Sequence, residues 1–120
     1  MTGFAAHPVR TRERLPHTWE ALFARFGRFT EIQAQAIGPL LDGRNCVLVS
    51  DTASGKTEAA LAPLLERYKQ TPQVERPGLA ILHIVPTRAL ARNLARRLSR
   101  PLERLAMRML LVLTEECSVR

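Results

Sequence analysis

Eight residues, Ser50 to Thr57, have the types and spacing that could hold a phosphate group. They lie between an apolar run at 46–49 and a helix-forming run at 58–62. A strand, a tight loop and a helix in that order form the context of a phosphate-binding loop, because loop N–H groups and the helix N-terminus attract an anion. Lys56 would supply charge for the β- and γ-phosphates, and the Thr57 hydroxyl would ligate Mg²⁺.

The loop departs from the strict phosphate-binding pattern at one glycine position, which is occupied by Ser50. The remaining glycine, Gly55, lets the backbone pass close to a phosphate without a Cβ in the way. The simpler alternative is an ordinary Gly-Lys-Thr sequence at a helix start. The apolar run before the loop and the helix-forming run after it favour the phosphate site.

Length, charge and cysteine usage limit the classes of protein. The 120 residues suffice for about one domain, and the net charge of +7 favours an anionic partner, nucleic acid first. Cys46 and Cys117 lie far apart and form no metal-ligand spacing. Cys46 is expected to be a small buried hydrophobe, and the lack of a disulfide framework favours a cytoplasmic location. No stretch has the length of a membrane-spanning helix, and no signal peptide is recognised, so no membrane partner is expected.

The first part of the chain is expected to form a mobile basic lead-in over residues 1–16, followed by the domain proper over 17–120. Trp19, Phe23 and Phe26 then recur at helical spacing and are expected in the core, with Gly27 ending the run.

Thr30 and Gln33 have the spacing of a capping box at the start of the next helix, which Asp42-Gly43 would end. Gln33 has two interpretations. Capping alone explains its position, whereas its side-chain amide also matches the donor and acceptor on the N6/N7 edge of adenine. On the spacing alone, the cap is the favoured interpretation.

The following elements predict an α/β fold. A helix over about 56–70, with Leu61, Leu64, Leu65 and Tyr68 inward, would join the strand at 46–49 to a buried strand at 79–85. Such a right-handed βαβ unit places ligands beyond the carboxyl ends of its strands. His83 is expected to be a satisfied core histidine, and residues 110–113 a third strand.

A helix over about 88–100, ended by Pro101, would follow the second strand. Four of its arginines share one face: Arg88, Arg92, Arg96 and Arg100. For most of them a solvated face is the simpler interpretation. Thr87 and Arg88, at the helix N-terminus, could instead hold a phosphate of a nucleic-acid backbone, which would add affinity without sequence preference.

Three segments in order resemble the first three motifs of superfamily-two ATP-dependent helicases, the DEAD/DEAH-box proteins. They are Thr30-Glu31-Ile32-Gln33, the loop Ser50 to Thr57, and Pro86-Thr87-Arg88-Ala89-Leu90-Ala91. The resemblance runs from about Leu15 to Met109 and is closest to the large helicase-related branch.

The resemblance implies a RecA-like, three-layer P-loop NTPase fold, with a parallel sheet and flanking helices, here incomplete. It implies ATP and Mg²⁺ as ligands, Lys56 and Thr57 as the catalytic pair, and Pro86, Thr87 and Arg88 as the nucleic-acid edge. It favours the adenine contact for Gln33. The nucleotide-binding residues it implies are Thr30, Gln33, Asp51, Thr52, Ala53, Ser54, Gly55, Lys56, Thr57 and Glu58.

The chain also departs from the family pattern. The family usually has Ala, Pro and Gly where this chain has Ser50, Asp51 and Ala53. The Asp-Glu pair of motif II is not recognised, because Glu115-Glu116 comes too early and lacks an Asp. The chain is therefore expected to be the N-terminal part of a helicase ATP-binding domain, truncated before motif II.

A chain without that pair and without a second lobe is expected to bind nucleotide weakly and to lack hydrolysis and unwinding. The missing remainder of the helicase, or a partner chain, would complete it. Two alternatives remain. One is a non-catalytic nucleic-acid-binding module served by Arg88 to Arg104, and the other is a different P-loop NTPase or small kinase.

Overall fold

The computed structural model describes residues 8–76 and 78–111, and the chain divides into two units, Met1–Ile81 and Leu82–Arg120. Four α-helices are present in the described residues: α1 (Pro8–Glu13), α2 (Glu31–Leu41), α3 (Lys56–Gln70) and α4 (Arg88–Arg104). A short π-helix covers Trp19–Phe23, and a 3₁₀ turn covers Gln73–Glu75. None of the described helices is long and apolar enough to cross a membrane.

Helix α2 begins and ends where its sequence signals predict. Thr30 is its N-cap, and the reciprocal capping box with Gln33 is present. Asp42 is the C-cap, and Gly43 follows with φ of +79°, a left-handed conformation that glycine adopts without steric cost. Ala36 and Ile37 are buried on the face that packs against α3.

Helix α3 extends from Lys56 to Gln70, as expected, but its buried face is rotated from the predicted one. Leu61 and Leu65 are buried, whereas Leu64 and Tyr68 are only half-buried. The most enclosed positions instead include two small residues and one carboxylate: Ala59, Ala62 and Glu66. The small side chains of Ala59 and Ala62 leave room for neighbouring parts of the chain to pack closely against this side of α3.

Three aromatic rings form a cluster between the π-helix and the start of α2. Trp19 and Phe23 each meet Phe29 edge-on, with ring centroids 5.1 and 4.9 Å apart. The prediction that Phe26 lies in the core is wrong, since 60% of it is exposed and the Arg25 guanidinium stacks 4.5 Å above its ring. The helical turns end before Phe26, and Gly27, with φ of +69°, redirects the chain so that Phe29 points inward instead.

Glu66 is fully buried, and its carboxylate organises the turn before the aromatic cluster. The backbone N–H groups of His17 and Thr18 donate to it over 3.1 and 2.8 Å, and the Thr18 hydroxyl donates over 3.0 Å. The His17 Nδ1 lies 2.6 Å from the same carboxylate, and the Gln70 amide donates over 3.1 Å. These bonds connect α3 directly to residues 17–18.

Burial by itself raises the pKa of Glu66, because it disfavours the charged form. The hydrogen bonds from His17, Thr18 and Gln70 outweigh that effect and hold the pKa below its ordinary value. The charged carboxylate therefore stabilises the folded chain.

The expected lead-in at 1–16 contains helix α1, which packs against α2. Leu15 is completely buried, and Arg14 forms an ion pair with Asp42 across 2.5 Å. Residues 1–7 lie outside the described residues, so the mobility of this segment stays a prediction.

The described residues contain no β-strand, so the expected parallel sheet is not formed in them. Residues 46–49 and 79–85 are present as unpaired chain. Val47 and Ile84 are 90% and 81% exposed, and both Cys46 and His83 are exposed, contrary to the buried positions predicted for them. An apolar run becomes a buried strand only when neighbouring strands supply hydrogen bonds and cover its faces. The expected third strand, 110–113, lies partly outside the described residues.

Helix α4 belongs to the second unit and continues past its predicted end at Arg100 to Arg104. Pro101 lies inside it, where it removes one N–H donor without ending the helix. Leu98, Leu102 and Leu105 are buried along one side, and their packing explains why the helix continues by another turn.

Candidate nucleotide-binding site

The loop before α3 has a defined backbone shape. Ala53 and Gly55 both adopt left-handed conformations, with φ of +60° and +83°. The Ser50 and Ser54 hydroxyls hydrogen-bond each other across the loop. The left-handed conformation costs an L-residue such as Ala53 about 1–2 kcal/mol, so the loop contains local strain at the position where the helicase family usually has glycine.

Thr30 and Gln33 hold this loop from the start of α2. The Thr30 hydroxyl donates to the Ser54 carbonyl over 2.8 Å, and the Gln33 amide nitrogen donates to the Gly55 carbonyl over 3.2 Å. The Gln33 amide oxygen accepts the Thr30 N–H over 2.9 Å. The capping interpretation of Gln33 is confirmed, and the same side chain also fixes the loop at Gly55. We call these contacts the Thr30–Gln33 brace.

Lys56 is the first residue of α3, and its ammonium group lies over the loop. It donates to the backbone carbonyls of Ser50 and Asp51, the latter over 3.1 Å. Both acceptors are neutral and belong to the loop itself. A phosphate oxygen would be a stronger acceptor for this cation than either carbonyl.

The N-terminus of α3 differs from those of α2 and α4. Thr30 and Thr87 each accept a hydrogen bond from their helix through the side chain, whereas the N-cap of α3 is Gly55, which has no side-chain oxygen to offer. The positive end of the α3 dipole is thus not capped by its own N-cap side chain. The half-buried Thr57 and Glu58 lie in this first turn, while the loop residues Asp51, Thr52 and Ala53 are exposed.

Replacing Gly55 by alanine is expected to lower the free energy of unfolding by about 2–3 kcal/mol. The new Cβ would require a left-handed alanine and would overlap the Gln33 amide nitrogen, with Gln33 Cδ only 3.2 Å away. Urea denaturation of the full chain measures the change.

Gly27→Ala is the matched control for this prediction. Gly27 has a similar φ of +69°, but nothing lies within 4 Å of the Cβ that alanine would add. It is expected to cost only the backbone strain, about 1–2 kcal/mol. Equal losses in the two variants would contradict a close fit between Gly55 and Gln33.

The residues predicted to contact nucleic acid lie at the start of α4. The Thr87 hydroxyl accepts the Leu90 N–H over 3.2 Å, so this side chain caps the helix. Arg88 is the first helical residue, and Pro86, Thr87 and Arg88 are all exposed. They belong to the second unit, whereas the loop and its brace belong to the first.

The sequence did not reveal which groups accept the hydrogen bonds of the Thr30, Gln33 and Lys56 side chains. The carbonyls of Ser50, Asp51, Ser54 and Gly55 accept these bonds, and a backbone carbonyl leaves no mark on residue type. Alanine by itself gives no signal for the left-handed conformation of Ala53; the signal was the glycine that the resembled family usually has at this position. The Thr30–Gln33 spacing was the other usable signal, and it predicted the cap but not its contact with the loop.

An unpaired segment leading through a braced loop into a lysine-led helix has the features of a candidate nucleotide-binding site. Comparison with protein families agrees with this class. A family model described as DEAD/DEAH box helicase matches residues 30–118, which is most of the chain. The chain therefore belongs to the DEAD/DEAH box helicase family.

Curated relatives include the DEAD-box ATP-dependent RNA helicase CshC of Bacillus cereus, 41% identical over 80 residues, covering 67% of this chain and 19% of the relative. DEAD-box ATP-dependent RNA helicase 27 of Arabidopsis thaliana is 49% identical over 69 residues, 55% of this chain and 10% of the relative. The ATP-dependent RNA helicase DDX18 of Homo sapiens is 42% identical over 66 residues, 55% and 10% respectively. The chain spans less than a fifth of the length of these relatives. Family membership implies a RecA-like fold, of which the described residues show helices only.

Proposed function

We propose that this chain binds ATP and nucleic acid as part of an ATP-dependent DEAD/DEAH-box helicase. We also propose a cytoplasmic location, since its cysteine usage fits a reducing compartment. The observation that carries the proposal is the Thr30–Gln33 brace, which fixes the carbonyls of Ser54 and Gly55 just before the lysine-led helix. A fixed loop is preorganised for a phosphate and loses less entropy on binding one.

In the proposed complex the triphosphate lies against the loop amides and the first turn of α3. Lys56 exchanges its two carbonyl partners for phosphate oxygens, which are charged and bind it more strongly. The other residues proposed to line the nucleotide are Asp51, Thr52, Ala53, Ser54, Thr57 and Glu58.

Gln33 is proposed to contact adenine while it continues to hold the loop. Its amide has two N–H groups and two acceptor lone pairs. The brace and the cap use one of each, through the Gly55 carbonyl and the Thr30 N–H. One donor and one acceptor therefore remain for the N6/N7 edge of the base.

Mg²⁺ is proposed to arrive with the nucleotide. No group of three or more side chains suited to holding a metal ion occurs in the described part of the chain. Mg²⁺ commonly binds through substrate phosphates with one or two protein oxygens, and the Thr57 hydroxyl fits that limited role. Hydrolysis and unwinding are proposed to need the acidic pair of motif II and a second lobe, supplied by the remainder of the protein or by a partner chain.

Titration of a fluorescent ATP analogue into the full chain, with unlabelled ATP and GTP as competitors, tests the proposal. We expect saturable binding, with ATP displacing the probe at lower concentration than GTP, since the Gln33 edge matches adenine and not guanine. Equal displacement of the probe by ATP and GTP would contradict only the adenine contact and would leave the nucleotide site in place. Absence of saturable binding would contradict the nucleotide site.

The second candidate function is a nucleic-acid-binding module that does not use nucleotide. It is favoured by the six arginines of α4, all of which are exposed. It differs from the first candidate in one measurable respect: a module of this kind would bind an oligonucleotide equally well with and without ATP.

A further inference from the structure

The side of α4 that faces solvent carries a predominantly basic surface that extends beyond Thr87 and Arg88. At about 100° per residue, all the arginines of the helix lie within one half of its circumference, and its leucines lie within the other. We call this half the arginine face and define it by its six arginines, Arg88, Arg92, Arg96, Arg97, Arg100 and Arg104. Glu103, the one acidic residue of the helix, falls in the same half.

The arginine face is electrostatically unfavourable for the isolated helix. Arginines four residues apart repel each other by about 0.2–0.5 kcal/mol per pair, and the row from Arg88 to Arg104 contains successive pairs of this kind. The first turn has no acidic residue, so Arg88 adds positive charge at the positive end of the helix dipole. Within the described residues, no ion pair joins Arg88, Arg92, Arg96 or Arg100 to a carboxylate.

The spacing of the row matches one kind of partner. Successive arginines at i, i+4 stand roughly 6 Å apart along the helix axis, which is comparable with the separation of neighbouring phosphates along an extended nucleic-acid strand. A polyanion with charges at that interval would relieve the repulsion along the whole row, whereas a single small anion would relieve it at one place.

We infer that Arg92, Arg96 and Arg100 bind consecutive phosphates of a nucleic-acid strand, continuing along α4 the contact that begins at Thr87 and Arg88. The inference rests on the proposed nucleic-acid binding at the start of α4 and extends it by three residues. These contacts recognise the phosphodiester backbone and therefore do not distinguish base sequence.

The test compares two triple variants of the full chain that lower the net charge of +7 equally. One carries Arg92→Gln, Arg96→Gln and Arg100→Gln. The control carries Arg25→Gln, Arg28→Gln and Arg44→Gln, three exposed arginines of the first unit. Glutamine has nearly the helix propensity of arginine, so α4 should persist, and circular dichroism verifies this.

Binding of fluorescein-labelled oligo(U) RNA and oligo(dT) DNA is measured by anisotropy between 50 and 200 mM salt. For the α4 variant we expect affinity about tenfold weaker at the lowest salt, and a slope of log K against log salt shallower by about 2. The control variant should keep most of the affinity at the lowest salt and most of the slope of log K against log salt. Replacing the same three α4 residues by lysine should retain the slope, since charge carries the contact.

Several outcomes would overturn the inference. If the control loses as much as the α4 variant, binding follows net charge and not this surface. If Arg88→Gln abolishes binding while the α4 triple variant is unaffected, the site ends at Arg88, and the proposed nucleic-acid function stands without the extension. If polyglutamate or anionic vesicles bind as tightly and are lost in the same variant, the partner is not specifically a nucleic acid. Absence of oligonucleotide binding by the unmodified chain would contradict both proposals.

Discussion

Replacing Lys56 by alanine is expected to weaken binding of an ATP analogue about a hundredfold, or roughly 3 kcal/mol, because the variant loses a charged hydrogen bond to phosphate. The effect should be large because the Lys56 ammonium, which now lies on the Ser50 and Asp51 carbonyls, is the cation placed over the loop at the start of α3. Fluorescence titration of both proteins gives the two dissociation constants.

The matched control is Lys69→Ala, which removes the same charge from the other end of α3. A separation of thirteen positions along the helix places Lys69 roughly 20 Å from Lys56, well beyond the screening length at physiological salt. Its dissociation constant should change less than twofold. Equal binding by Lys56→Ala and the unmodified chain would remove the assignment of the loop as a phosphate site, and thermal unfolding of each variant excludes loss of folding as the cause.

Replacing Glu66 by alanine is expected to lower the free energy of unfolding by about 3 kcal/mol, because removing one partner of a buried charged network leaves the others unpaired. The His17 N–H, the Thr18 N–H and the Thr18 hydroxyl would each lose their acceptor. For a chain of this size the melting temperature should fall by roughly 10 °C. Glu75→Gln, at an exposed carboxylate, should change it by about 1 °C or less.

The Glu66 network also predicts how stability depends on pH. Because the folded-state pKa of Glu66 is lowered from the ordinary value of 4.5, its contribution is complete above that value and is lost as the pH falls through the folded-state pKa. Glu66→Gln removes this titration. The stability difference between the unmodified chain and Glu66→Gln should therefore shrink as the pH falls below about 4.5. A difference that stays constant into strong acid would contradict the role assigned to the charged carboxylate.

Elements whose signals are local were predicted well from the sequence. The Thr30–Gln33 capping box and Asp42-Gly43 set the ends of α2 correctly, because capping depends on residues within one turn. The helical spacing after Thr87 likewise predicted α4. The helix extends past Pro101 to Arg104, where Leu102 and Leu105 are buried.

Features that depend on distant partners could not be predicted in the same way. The apolar run around Val47 has strand-like composition, but pairing requires neighbouring strands, and the described residues provide none. Phe26 has helical spacing after Phe23, yet the chain leaves the helix between them. A glutamate such as Glu66 is ordinarily expected at the surface. Only the fold brings the hydrogen-bond donors of residues 17–18 to its carboxylate.

The exposed apolar segments around Val47 and Ile84 lead us to expect self-association of this chain in solution. Each presents unpaired backbone donors and acceptors beside branched aliphatic side chains, and two copies of the chain can satisfy both by pairing edge to edge. Self-association should therefore rise with protein concentration and compete with folding. Adding strands that cover these segments should improve solubility without altering the residues proposed to bind nucleotide.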